Sequence, residues 1–125
     1  MRGTVDSAGR ALLTVALRAN HRSPAVQLEV WIDTGFTGDL VIPQAKIDAL
    51  GLSQSGSVDA VLADGSQTEL NTFSCIINWF GSERNLEVIA NDGAYPLLGV
   101  GLLLGLEFRV DYHKFVLTLA PPVRP

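Results

Sequence analysis

The chain carries one cysteine, one methionine and two histidines in 125 residues. A single cysteine excludes a disulfide framework. Nothing among Cys75, His21 and His113 has the spacing of metal ligands, so no metal and no other cofactor is expected. A catalytic thiol at Cys75 would need a histidine partner, yet His21 and His113 both stand beside loop-like polar residues. The setting Phe73-Ser74-Cys75-Ile76-Ile77 reads as a buried strand, and free cysteine there behaves as a small hydrophobe. Positive charge is also scarce. Nine Lys and Arg face thirteen Asp and Glu, a net charge of −4, with no basic cluster. That excludes a nucleic-acid surface. Long apolar runs are missing too. Residues 11–17 are apolar but bounded by Arg10 and Arg18, and residues 97–108 are apolar but too short to span a bilayer. The start, Met1-Arg2-Gly3-Thr4-Val5-Asp6, lacks the apolar core of a secretory signal. A cytoplasmic protein with no membrane or nucleic-acid partner is expected.

What is present is a globular balance, 47% hydrophobic and 18% charged, of ordinary kind. The length fits one domain over residues 1–125, its core about 10–118, and is too short for two stacked lobes. Val, Ile and Leu recur in short runs broken by Gly, Asn, Asp and Pro, the pattern of a β-rich chain with many turns. Strands are expected over 4–7, 10–19, 25–32 and 39–42, the second and third forming an antiparallel hairpin around residues 20–24. Pro43 suits the first position of a short helix ending at Leu50, before Gly51. Two hairpins follow. One pairs 57–63 with 67–73 around Asp64-Gly65, and the other pairs 75–80 with 84–90 around Gly81-Ser82. Leu97-Leu98-Gly99 leads into one or two helical turns over 100–104. Strands at 106–111 and 114–119 come next, then a proline-rich tail, residues 121–125, expected to fray.

One short motif stands out. In Trp31-Ile32-Asp33-Thr34-Gly35 an acid follows an apolar strand directly and precedes a glycine. An Asp-Thr-Gly tripeptide arises by chance in roughly one or two chains in a hundred of this size, taking each residue type near one in twenty. Its plain reading is a turn in which Asp accepts backbone N–H groups at a strand end. Its surroundings say more. Phe36-Thr37-Gly38 follows, then a second apolar strand, Leu40-Val41-Ile42. Later Leu97-Leu98-Gly99 repeats the order of an apolar pair before a glycine, and Asp64-Gly65 tips a hairpin between the two.

This order of motifs resembles the retropepsin-like aspartic peptidases, whose pattern is an Asp-Thr/Ser-Gly loop, a flap hairpin, then a hydrophobic pair and Gly before a short helix. Asp33-Thr34-Gly35-Phe36-Thr37-Gly38 looks like the bacterial variety of that loop. The resemblance extends over residues 10–118. It implies a mainly β fold, a closed and mostly antiparallel β-barrel of retropepsin (acid protease) type with one or two short helices. It also implies a homodimeric aspartic endopeptidase acting on a peptide or protein substrate. Asp33, Thr34 and Gly35 would be the catalytic residues. Ala63, Asp64 and Gly65 would be the substrate-binding flap, and Leu97, Leu98 and Gly99 would support the acidic loop. There is one Asp-Thr-Gly per chain, so a complete site requires a second chain. The flap tip, Leu62-Ala63-Asp64-Gly65-Ser66, lacks an aromatic, and the proline-rich tail differs from the terminal strands that join viral members.

In that chemistry one carboxylate takes a proton from water while the other, protonated, donates to the carbonyl oxygen. Two carboxyls about 3 Å apart cannot both ionise and share a proton. Asp39, Asp92 and Asp111 lack the flanking glycine and apolar strands of Asp33. A rival function is a non-catalytic dimerisation or peptide-binding module on the same barrel. A further rival is an unrelated barrel in which Asp33 merely closes a turn.

Overall fold

In the computed structural model, which describes residues 1–123, the chain is mainly β. It runs β1 (Arg2–Val5), β2 (Ala11–Arg18), β3 (Val26–Ile32), β4 (Leu40–Pro43), α1 (Gln44–Leu50), β5 (Ser53–Val61) and β6 (Gln67–Trp79). It continues through β7 (Ser82–Asn91), β8 (Leu97–Leu98), a 3-10 turn (Val100–Leu102), β9 (Glu107–Asp111) and β10 (Val116–Ala120). Alternation of side chains across a strand explains the core. In β3, Leu28, Val30 and Ile32 are buried while Gln27, Glu29 and Trp31 are exposed. β2 buries Leu13, Val15 and Leu17 against them, in register Leu13↔Val30 and Val15↔Leu28.

The strands form one ten-stranded sheet in the order β5-β6-β7-β4-β8-β3-β2-β1-β10-β9. A further antiparallel contact, Leu17↔Ile77 and Arg18↔Ile76, joins β2 back to β6. The six strands from β6 to β2 in that order are thereby closed into a ring. The pairings β3–β8 and β4–β7 are parallel, and the rest are antiparallel. The buried cluster runs from Ala11 to Leu119 and lies inside this arrangement, with Leu40, Ile42, Val88, Leu98 and Leu102 wholly enclosed. Among the described residues no helix is long and apolar enough to cross a membrane.

Several expected boundaries move. The first strand covers Arg2–Val5 rather than 4–7. Asp6 stops it: its carboxylate accepts the backbone N–H groups of Ala8 and Arg10 and pairs with the Arg10 guanidinium, a side-chain turn that competes with the ladder. The Arg10 backbone bond, ahead of its guanidinium, holds Asp6 below the usual carboxylate range. Pro43 ends β4 in extended conformation and is the N-cap, so α1 begins one residue later than expected. Residues 67–73 and 75–80 are not separate strands but the two halves of β6. Its first half pairs with exposed β5 and its second half enters the core, so the composition changes at Phe73 while the backbone does not. The β6–β7 turn is Phe80-Gly81, both at positive φ (52° and 84°), the signature of a two-residue hairpin turn. Phe80 lies edge-on to Trp79 with 5.1 Å between ring centroids, and Trp79 Nε1–H donates to Leu102 O at 3.0 Å. Only part of the tail is described; residues 121–123 carry no strand, and Arg124 and Pro125 lie outside the described residues.

Candidate active site

Asp33 sits where β3 ends, and the chain doubles back into β4 seven residues later. A loop this tight between two core strands needs its backbone groups paired. The segment 98–101 supplies the partners. Asp33 N–H donates to Leu98 O at 2.8 Å, Gly99 N–H to Asp39 O at 2.9 Å, Val100 N–H to Phe36 O at 2.7 Å and Gly101 N–H to Gly38 O at 3.0 Å. β8 lies between the two strands that carry the loop. Leu97 and Leu98 pair with Trp31 and Ile32 on one side and with Val41 and Leu40 on the other. Leu98 is fully buried and Leu97 half-buried. The sequence-derived supporting trio is thus brought directly against the acidic loop.

Glycine is required at this strap by close approach. A Cβ at Gly99 would stand 2.3 Å from Gly38 O, 2.7 Å from Phe36 O and 2.4 Å from the Phe36 ring. Gly101, which the sequence reading did not single out, is as constrained: a Cβ there would lie 2.4 Å from Asp39 Oδ1 and 2.9 Å from Gly38 O. The Gly99-Val100-Gly101 spacing was the available signal.

Within the loop, Gly35 N–H donates to Asp33 Oδ1 at 2.9 Å. A Cβ at Gly35 would sit 3.2 Å from that oxygen, tight enough to push it. The plain turn geometry is therefore present, and it fixes one carboxylate oxygen. Asp33 is half-buried, while Thr34 and Gly35 are exposed. Cys75 is buried in β6, and burial, with a smaller contribution from Asp39, pushes its thiol up to about 12. A thiol so disfavoured as thiolate is no nucleophile at neutral pH. His21 stands 3.3 Å from Glu83, on the surface.

Beside Asp33 lies a group that composition did not mark. Trp31, two residues earlier near the end of β3, meets Tyr95 edge-to-face at 6.3 Å. The Arg10 guanidinium stands 4.5 Å from the Tyr95 ring centre and 5.9 Å from that of Trp31. Trp31 N–H is tied to Pro96 O at 2.8 Å. These residues are distant in sequence; the β3–β8 pairing brings Tyr95 to Trp31, and the β2–β3 pairing brings Arg10 to it.

Ala63, Asp64 and Gly65 lie at the tip of the β5–β6 hairpin, away from the loop in sequence and exposed. Gly65 N–H donates to Leu62 O at 2.9 Å and Leu62 N–H to Ser66 O at 2.8 Å. Gly65 has φ +85°, so this is a three-residue turn with glycine in the left-handed position. The Ser66 hydroxyl and backbone N–H donate to Asp64 Oδ1 and hold that carboxyl below its ordinary range. Val61 and Leu62 give the tip an apolar surface, 70% and 47% exposed.

No protein-family model matches the chain, and no curated protein matches it. Solved structures do. One is a retropepsin-like aspartic protease from Rickettsia conorii, with TM-score 0.66 and 20% identity, covering 97% of this chain and 89% of that one. Another is the EIAV protease in complex with the inhibitor HBY-793, with TM-score 0.56 and 19% identity, covering 80% of this chain and 90% of that one. At these identities the likeness is one of fold, and the fold is retropepsin-like.

Proposed function

We propose that this retropepsin-like chain is one subunit of a homodimeric aspartic endopeptidase, a single domain whose closed strand ring is the acid-protease barrel. The observation that carries the reading is the Asp33 loop, held by β8 and the 98–101 strap at four backbone bonds. Catalysis needs a reactive group fixed within a fraction of an ångström, and such strapping is more than a surface turn requires.

In the proposed mechanism two Asp33 carboxyls, one from each subunit, meet across a two-fold axis. Like charges that close share one proton, and the titration belongs to the pair rather than to either acid. The ionised partner takes a proton from a water as its oxygen attacks the peptide carbonyl, and the protonated partner donates to the carbonyl oxygen. Gly35 N–H steadies one carboxylate oxygen at 2.9 Å, which leaves the other oxygen to the shared proton and the water. The hydroxyl of exposed Thr34 bonds across the axis. The Trp31–Tyr95 pair offers an apolar wall for a substrate side chain near the scissile bond. The β5–β6 tip closes over the peptide through Ala63, Asp64 and Gly65, with Val61 and Leu62 supplying apolar contact.

A peptide whose scissile bond is replaced by a hydroxyethylene group mimics the tetrahedral state and tests this directly. It is expected to bind, and bound it should slow amide hydrogen exchange over residues 62–67, because the site must open to admit a chain and close to exclude water. Absence of binding to a broad panel of such peptides contradicts the peptidase reading. Binding with unchanged exchange at 62–67 contradicts the flap assignment alone.

A further inference from the structure

We infer that Trp79 is a positioning residue for Asp33: its indole N–H anchors the far end of the 98–101 strap and so sets where the acidic loop sits, without touching substrate. The kinetic part of this inference rests on the peptidase reading; the anchoring part stands on the fold. Trp79 is the last residue of β6 and is buried. Its Nε1–H donates to Leu102 O at 3.0 Å. Leu102, also buried, ends the 3-10 turn that continues the strap. The last carbonyls of a helical turn have no partner within it. Three of those around this turn find backbone donors. Gly99 O accepts from Leu102 N–H, Val100 O from Leu103 N–H and Leu103 O from Leu106 N–H. Among the described residues no backbone N–H reaches Leu102 O, and the indole is its donor. Without that donor a buried carbonyl is left unpaired, which is costly, and the turn must shift or open to water.

The turn cannot shift alone. Gly101, next to Leu102, donates to Gly38 O, and Val100 donates to Phe36 O, both in the acidic loop. The close approach of Gly99 and Gly101 to that loop leaves the strap no slack. At the other end the indole hangs from a fixed frame. Trp79 pairs with Ser82 across the β6–β7 hairpin, and Ile77, two residues earlier, pairs with Leu17 where the strand ring closes. Packing alone would accept Phe or Leu at position 79. Only Trp adds a donor to the same apolar bulk, and a buried indole N–H needs a partner. Phe80 supports the arrangement. It holds φ 52°, which a bulky residue adopts only at a cost, and in that conformation its ring braces the indole edge-on at 5.1 Å.

Replacing Trp79 by 3-benzothienylalanine in the full chain keeps the shape of the side chain and removes the N–H. Amide exchange at Val100 and Gly101 is expected to rise at least about tenfold, because local opening becomes easier. With KM near that of the parent, kcat should fall about tenfold, less than a full 1 Å misplacement causes. The pH–rate profile should narrow from both sides, because carboxyls standing farther apart share their proton less strongly. Trp79→Phe is the second variant and should show the same three changes. Ile47→Ala, in the buried face of α1, is the control for a plain core role. It should lower the urea midpoint and leave exchange at 100 and 101, kcat and the pH profile near the parent. Unchanged exchange at 100 and 101 in both Trp79 variants, or a rise that Ile47→Ala matches, overturns the anchoring. An active enzyme whose kcat and pH profile neither Trp79 variant moves overturns the positioning role. A parent chain that cleaves nothing removes the peptidase reading and with it the kinetic part, and the exchange comparison then decides the anchoring by itself.

Discussion

Asn in place of Asp33 is expected to leave fold and dimer intact and to lower peptide hydrolysis by at least about 10²–10⁴-fold, the usual contribution of positioned acid–base groups. The fold should survive because the bond that the carboxylate accepts among the described residues, from Gly35 N–H to Oδ1, can be accepted equally by an amide oxygen. The strap bonds at Leu98, Gly99, Val100 and Gly101 involve backbone only. What is lost is the group that can hold or release a proton. Circular dichroism and sedimentation should therefore match the parent while cleavage disappears. Full activity in the purified variant would remove Asp33 from the chemistry.

The second large effect belongs to a residue that never touches substrate. Gly99 has φ −100° and ψ −179°, extended backbone that any residue adopts, so Gly99→Ala carries no conformational penalty of its own. Its Cβ, however, would stand 2.3 Å from Gly38 O and 2.7 Å from Phe36 O. Those are backbone atoms of the acidic loop and cannot rotate away. Overpacking of this kind costs about 1–3 kcal/mol. A displacement of Asp33 near 1 Å costs about 10²-fold in rate. A lower urea midpoint and a comparable fall in activity are expected together. Gly56→Ala is the control: its Cβ would meet only Thr72 Oγ1 at 3.6 Å, an ordinary contact, and both measures should stay near the parent. A Gly99→Ala chain as stable and active as the parent would show that the strap does not position the loop.

Much of the fold was legible because its signals are local. Asp64-Gly65 between alternating strands marks a turn, and Gly51 after Leu50 marks a helix end, where it adopts φ 69°. The same local reasoning failed where tertiary context decides. β6 spans an exposed arm and a buried half without interruption, so a change of composition at Phe73 looked like a boundary. Asp6 looked like part of a strand, because only its bonds to Ala8 and Arg10 reveal the turn. At the site, Asp33, Thr34 and Gly35 were visible as a tripeptide, and Leu97, Leu98 and Gly99 as a second apolar pair before glycine. Their contact across β8 depends on a parallel pairing between segments more than sixty residues apart, which no periodicity encodes. Gly101 was missed although its spacing from Gly99 was a local signal, whereas the Arg10–Trp31–Tyr95 group has no local pattern and acquires its place only when β3, β8 and the segment before β2 are packed together.

Mixing parent and Asp33→Asn chains, letting subunits exchange and measuring cleavage tests the shared site most directly. If every site needs both aspartates, activity follows the square of the parent fraction, because pairs about a two-fold axis assort at random. An equal mixture should then retain about a quarter of parental activity. Exchange is verified with differently tagged subunits, since unexchanged dimers and self-sufficient chains both retain about a half. A quarter after proven exchange is the predicted result; a half after proven exchange contradicts a catalytic pair built from two copies of Asp33.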